Sequence, residues 1–495
     1  VSEGLYERVL AAAGGDLPPA RPPRPSASVA LWRRRDGELE VYWIRRGRTL
    51  LFMGGWHAFP GGALERDDVE RTLTGVAHHP RPGTVTAPSP EVTDPADADL
   101  AAGIVACALR ELEEEVGVRL EAYRLTFAGR WLTPAFGALR FDNRFFLAEW
   151  RPEDGEPHPL PPESEDGGWI RPAAALAEVD AGRAIAAPPV AHVLRVLAEE
   201  GPEGSPRRLL DTSEANLGPL RRIEFRAGVL VFPLAAATLP PATHTNTYLV
   251  GGGEAILVDP GSPFAGENER LLAALEAAER RLGRRVREIW LTHHHPDHVG
   301  GVATLRRALG VPVAAHPATA ERLAPLGIPI DRRLVDGERL RLAGEPEIEL
   351  IVHHTPGHAR GHLAFEIDRG EPSAARDLIG GDLVAAAGTI VIDPPEGDMD
   401  DYLATLERLA ARPWRTLFPA HGAPVIDVAG KLAEYIAHRL EREGQVFAAW
   451  QAGLRTPTEF LPAVYPEVPP PARPLAERQV VAHLERLRRQ GRIAG

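Results

Sequence analysis

At 495 residues the chain is too long for one ordinary hydrophobic core, so two or three domains are expected. Its net charge of −13 favours solubility and argues against a broad nucleic-acid-binding face. Cys107 is the only cysteine, which excludes an intrachain disulfide and a multi-thiolate zinc site; its apolar neighbours Val105, Ala106 and Ala108 point to core packing.

The start, Val1-Ser2-Glu3-Gly4, has no basic segment leading into an apolar one, and no stretch of about 18 apolar residues occurs. A cytoplasmic protein without a membrane span is therefore expected. Residues 1–26 end in a proline-rich run, Pro18 to Pro25, that reads as an irregular lead-in. Ala27 to Trp32 and Leu39 to Arg45 read as strands joined by the hairpin signal Arg35-Asp36-Gly37. Glycines in Phe52-Met53-Gly54-Gly55-Trp56-His57-Ala58-Phe59-Pro60-Gly61-Gly62 allow the backbone to approach a ligand closely. Residues 63–96 lack an apolar period and read as an inserted surface loop. A helix follows from Ala96 to Val116, with Gly117 as its C-terminal cap. It carries Arg110-Glu111-Leu112-Glu113-Glu114-Glu115-Val116-Gly117-Val118, in which Glu111, Glu114 and Glu115 share a face at i, i+3 and i+4. Three like charges so placed repel, a cost that a hard divalent cation would offset.

That segment resembles the second half of the Nudix box at every fixed position, with Gly61-Gly62 as the glycine start displaced by the insertion. One departure is Ala102, where the box has its first glutamate. Trp131-Leu132-Thr133-Pro134, Arg140 to Leu147 and Glu163-Ser164-Glu165-Asp166-Gly167-Gly168-Trp169-Ile170 extend the resemblance to the Nudix branch containing a peroxisomal coenzyme A diphosphatase. The arginine of that branch's coenzyme A motif is replaced near Leu51. The resemblance implies Mg²⁺ or Mn²⁺ held by Glu111, Glu114 and Glu115, with Arg110 positioning the glutamates, and cleavage of a nucleoside diphosphate or coenzyme A derivative.

Helices at Ala173 to Val179 and Pro189 to Glu199 close this first domain, and Glu200 to Pro206 reads as a linker by composition. Strands resume at Ile223-Glu224-Phe225 and Val229-Leu230-Val231. Thr243 to Val250 leads into another strand, with His244 expected to be structural or substrate-facing. Asp259 ends the apolar run Ile256-Leu257-Val258. The buried strand Val286 to Leu291 is followed by Thr292-His293-His294-His295-Pro296-Asp297-His298, then by a helix from Val302 to Leu309. On that loop His293 and His295 can face one metal while Asp297 and His298 turn toward a second. His358 follows Leu350-Ile351-Val352, Asp382 follows Leu378-Ile379, and His421 follows Leu417-Phe418. Any one of these alone would pass for a core histidine or a turn aspartate.

Taken in order, these motifs resemble those of the metallo-β-lactamase superfamily over roughly Arg222 to His438. The resemblance implies two Zn²⁺ ions sharing a hydroxide: His293, His295 and His358 on one, Asp297, His298 and His421 on the other, Asp382 bridging them, and Asp259 behind the ligands. The helical tail, with Tyr435-Ile436, His438-Arg439 and Arg442-Glu443, resembles the winged-helix tail of the lactamase-β-like endoribonuclease, and Arg486, Arg488, Arg489 and Arg492 make it locally basic.

The expected fold is therefore α/β and α+β multidomain: a Nudix α/β/α sandwich over 27–200, a linker over 201–221, a metallo-β-lactamase αββα sandwich over 222–430, and a winged-helix-like tail over 431–495. The expected function is a two-site metal-dependent hydrolase acting on small molecules. The C-terminal half would cleave an ester, a thioester or an RNA phosphodiester. Alternatively the zinc site alone turns over, as a hydrolase or endoribonuclease, and the Nudix domain senses a nucleotide or coenzyme A derivative. Oligomeric state is left open.

Overall fold

The computed structural model of the chain describes residues 22–47, 53–73, 95–133, 140–181, 183–210, 216–217, 220–221, 223–239, 242–385, 389–468 and 470–494. Most of the proline-rich lead-in, Leu51, Phe52, Pro134, the middle of the 63–96 insertion and parts of 201–221 lie outside the described residues. The chain divides into two compact units, one ending at Arg226 and the other starting at Ala227. Among the described residues no helix is long and apolar enough to cross a membrane.

The first unit is built on the strand Arg24–Arg35, whose alternating side chains serve two cores. Ala27, Val29 and Leu31 pack with Cys107, Ala108 and Leu112, while Ala30 packs with Val193, Leu194 and Leu197. Asp36 and Gly37, at φ 53° and 84°, form the two-residue turn that the right-handed twist of a hairpin favours. The turn returns the chain into Glu38–Arg46 with Leu31 opposite Tyr42. On the other side Phe141–Glu149 runs parallel, Val29 opposite Phe146. A parallel neighbour requires a long crossover, which the helix Pro95–Val116 supplies. Helices cover both faces of the sheet, giving the expected α/β/α sandwich, with Cys107 fully buried in its core.

Two stretches of this unit differ from expectation. Arg66–Leu73 is a helix within the residues read as surface loop; Asp67 and Asp68 in its first turn suit the positive end of the helix dipole. It is too short, at 8 residues, to display an apolar period. The first half of the stretch read as a linker is helical: Gly201, at φ 70°, breaks the helix Pro188–Gly204, Pro202 restarts it where a missing N–H costs nothing, and Pro206–Leu210 is a further helix.

In the second unit two sheets face each other. One runs through Val229–Ala235, His244–Val250, Glu254–Val258, Arg285–Trp290, Val313–Ala315 and Arg332–Arg333; the other through Arg339–Leu342, Ile348–His354, Leu363–Asp368, Arg376–Gly381 and Trp414–Pro419. Trp290 meets Phe365 edge-on at 5.1 Å, and Tyr248 meets Phe418 at 5.9 Å, so aromatic pairs weld the inner faces. Leu271, Leu275 and Ala278 of the helix Ala265–Leu282 are buried beside the first sheet. Leu403 and Leu406 of Met399–Ala410, with Leu432 of Val428–Gln451, pack on Leu378 and Leu417 of the second. The layers are αββα. Val446 of the long helix continues into a small helical core with Phe460 of Pro457–Val464 and Leu484 of Arg473–Arg489.

Candidate active sites

Four strands of the sandwich, ending at Trp290, His354, Gly381 and Pro419, release the loops that carry the candidate ligands at one edge of the sandwich. Two glycines permit the loops to close. A Cβ at Gly261 would lie 1.7 Å from the Asp297 carbonyl oxygen, and one at Gly357, φ 135°, would lie 2.3 Å from Tyr402 Cα.

All seven residues expected to surround two cations are brought together. Ligand atoms of His293, His295 and His358 form one group, and those of Asp297, His298 and His421 another. His293 Nε2 lies 2.9 Å from His295 Nδ1 and 3.2 Å from His358 Nε2, and His358 Nε2 lies 2.9 Å from His295 Nδ1. Asp382 stands between the groups. Its Oδ2 is 3.4 Å from His358 Nε2, while its Oδ1 is 3.5 Å from both His298 Nε2 and His421 Nε2.

Hydrogen bonds behind the ligands decide which nitrogen each ring offers. Asp259 accepts from the Thr292 N–H (2.8 Å), from Thr292 Oγ1 (2.6 Å) and from His298 Nδ1 (2.8 Å). Thr292 Oγ1, its proton committed to Asp259, accepts from His293 Nδ1 at 3.0 Å. His358 Nδ1 donates to the Val391 carbonyl (2.7 Å) and His421 Nδ1 to the His244 carbonyl (3.0 Å). Four rings therefore turn Nε2 lone pairs inward. His362 adds a support not foreseen from sequence: its Nδ1 contacts Thr355 Oγ1 (2.7 Å), and its Nε2 accepts the Asp382 backbone N–H (3.1 Å).

The arrangement fits divalent cations. Lone pairs of His293 and His358 meet at 3.2 Å with no proton left to share, which is repulsive unless a positive charge lies between them. Zinc–nitrogen bonds of 2.0–2.1 Å in a tetrahedron put nitrogens about 3.3 Å apart. His298 Nε2 and Asp382 Oδ1 are buried without a hydrogen-bond partner, and both face the cluster. Burial and neighbouring imidazoles hold His293 and His295 well below the ordinary histidine value, which keeps their lone pairs available. Burial acts the same way on His298, but Asp382, Asp259 and Asp297 outweigh it and raise its pKa; a field that favours a proton there favours a cation in its place. Asp259→Ala is expected to weaken retention of a divalent metal about 10–100-fold in equilibrium dialysis, because the tautomer of His298 is no longer set.

The acidic site of the first unit is assembled differently from the sequence reading. Ligand atoms of Glu111, Glu115 and Glu163 lie together, and Glu114 is not among them. At about 100° per residue, Glu115 stands roughly 40° from Glu111 on one side and Glu114 roughly 60° on the other. Glu114 is 57% exposed and accepts from Arg110 Nη1 at 2.8 Å. Arg110 also donates to Glu111 (2.9 Å) and, through Nε and Nη2, to both oxygens of Asp68 (2.9 Å each). Asp68, fully buried, anchors that arginine from within the stretch read as a surface loop. The Gly61 N–H donates to Glu115 Oε2 at 2.8 Å. Burial pushes Glu111 up to about 7 against the pull of Arg110, with Glu163 and Glu114 adding to it, and pushes Glu115 up to about 8, with Glu111 and Glu163 adding to it. Two buried carboxylates, with the exposed Glu163 beside them, suit a hard cation that keeps some of its water.

The arginines of the tail are largely engaged within the chain. Arg486 pairs with Asp400 (2.7 Å) and Glu443, Arg489 with Asp398 and Asp400 (2.9 Å), and Arg492 with Glu443 (3.0 Å).

Comparison with known families agrees with this architecture. The metallo-beta-lactamase superfamily pattern matches residues 240–421, the beta-lactamase associated winged helix domain 456–494, and the NUDIX domain 100–192. The chain is 29% identical to the Beta-lactamase-like protein 2 homolog of Drosophila melanogaster, over 50% of this chain and 84% of that protein. It is 32% identical to the lactamase-like protein vrtG of Penicillium aethiopicum, over 49% of this chain and 74% of that protein. It is 29% identical to the atrochrysone carboxyl ACP thioesterase of Aspergillus fumigatus, over 46% of this chain and 69% of that protein.

Proposed function

Because the chain belongs to the metallo-beta-lactamase superfamily, with a Nudix domain ahead of that fold and a winged helix behind it, we propose that this hydrolase works at two sites. The second unit holds two zinc ions and cleaves an acyl thioester; the first holds Mg²⁺ or Mn²⁺ and cleaves a nucleoside diphosphate derivative.

The observation that carries the zinc reading is the placement of Asp382, with one carboxylate oxygen toward His358 and the other toward His298 and His421. His293, His295 and His358 would hold one ion, Asp297, His298 and His421 the other, and Asp382 both. Bound there, the pair supplies Lewis-acid polarisation of a carbonyl and acidifies water. The chain's own part is geometric: Asp259 and Thr292 orient His298 and His293, His362 fixes the backbone beneath Asp382, and the surrounding burial excludes bulk solvent. A thioester is favoured over RNA by the thioesterase relative and by the ion pairs that engage Arg486, Arg489 and Arg492.

In the first unit Glu111, Glu115 and Glu163 would hold the cation, and Arg110, tied to Asp68, keeps Glu111 and Glu114 in register. A cation held there would neutralise diphosphate charge.

A direct comparison of acyl thioesters with single-stranded RNA, using zinc-loaded protein and a His295→Ala control, tests the substrate class. Thioester consumed and RNA left whole is the expected result. RNA cut by wild type but not by the control, with thioester untouched, would replace this reading with a nuclease.

A further inference from the structure

Between Asp382 and the helix Met399–Ala410 the strip Ile390–Pro394 passes behind His358. Its residues alternate in burial: Ile390 and Ile392 sit in the core with Tyr402, Leu432 and Tyr435, whereas Val391 and Asp393 are half-buried. The carbonyls alternate as well, in the period-2 manner of extended chain. That of Val391 accepts the His358 Nδ1 proton at 2.7 Å. Those on either side are held by the C-terminal helices: Ile390 by Arg439, Ile392 by Gln479 Nε2 at 3.1 Å, and Pro394 by Arg478, which also pairs with Asp393. Arg439 Nη1 in turn donates to Gln479 Oε1 at 2.9 Å, and the two side chains are 1% and 5% exposed.

We propose that Gln479 and Arg439 are positioning residues for His358. By clamping the carbonyls flanking Val391 they set the angle at which the imidazole presents Nε2, and so make the C-terminal helical segment a working part of the metal centre. The buried arginine and amide converge on one irregular strip: each satisfies a backbone carbonyl and neither reaches the cluster itself, while the Arg439 guanidinium also lies over the Tyr402 ring at 5.5 Å. Carbonyls that orient a ligating histidine through its second nitrogen govern metal affinity. The inference rests on His358 being a zinc ligand, as proposed above.

The test is zinc affinity of the full chain by competition with a chromophoric chelator, read beside the melting temperature of the metal-free protein. Gln479→Met, which keeps the volume but neither donates nor accepts a strong hydrogen bond, is expected to weaken one zinc equivalent about 10-fold or more. Leu487→Ala, a core truncation on the same helix away from the strip, is expected to lower the melting temperature and leave zinc affinity at the wild-type value. Wild-type affinity in Gln479→Met, or an equal loss in Leu487→Ala, overturns the proposal. Should Gln479→Met not fold, Arg478→Gln, which releases only the partly exposed end of the strip, carries the same expectation and the same refutation. His358→Ala in the same assay separates the two ideas: if it too binds zinc normally, the ligand assignment fails; if it alone weakens binding, only the clamp does.

Discussion

Asp382→Asn is expected to retain about one zinc per chain or less where the wild type retains about two, and to lose roughly 1,000-fold or more in thioester turnover. The carboxylate faces both imidazole groups, so its charge is the only one shared by the two proposed ions. An amide is nearly the same size but offers one weaker oxygen and a nitrogen that presents protons to His298 or His358. A uniform loss of stability would not produce this result, because Asp382 is buried in a loop whose backbone remains pinned by His362. Elemental analysis after gel filtration, with circular dichroism to verify folding, checks it. Two ions retained with near-normal turnover would remove the bridging role and, with it, the dinuclear reading.

Glu115→Gln has the second largest expected effect, confined to the other unit. Magnesium-dependent release of product from a nucleoside diphosphate panel should fall about 100-fold or more, while thioester turnover stays within about 2-fold of wild type. Glu114→Gln makes the informative contrast. Glu114 is exposed and bound to Arg110, so its loss should cost far less than that of Glu115, which is buried beside Glu111 with the Gly61 N–H on its oxygen. Equal losses in the two variants would return Glu114 to the metal. A wild type that binds the nucleotide by calorimetry yet releases nothing would make this unit a sensor, the role suggested by Ala102.

Much of the metal cluster was legible because four of its members lie within Thr292-His293-His294-His295-Pro296-Asp297-His298, where local spacing alone forces convergence. His358, Asp382 and His421 were legible for a related reason: each follows a short apolar run, and strands of one sheet deliver their ends to one edge. The hairpin around Asp36-Gly37 was equally local. Its two left-handed residues follow from chemistry carried by the dipeptide.

What remained hidden involved partners brought together from distant parts of the chain. Glu163 opens the stretch Glu163 to Ile170 but shows no spacing relation to Glu115; only the sheet, pairing Arg46 with Ser164, brings it beside the acidic helix. Asp68 reads as one more surface acid until the helix Arg66–Leu73 turns it onto Arg110. His362 is one histidine among many until its ring is seen to receive the Asp382 N–H. The tail is basic in sequence, yet its charge is spent on Asp398, Asp400 and Glu443, residues that no local pattern pairs with it. The sequence by itself determined the seven candidate ligands of the second unit and the loops they sit on, since ligand type and strand periodicity are local properties. Tertiary structure alone decided which nitrogen each ring presents and which carboxylates face inward, because those depend on hydrogen bonds from residues that only folding makes neighbours.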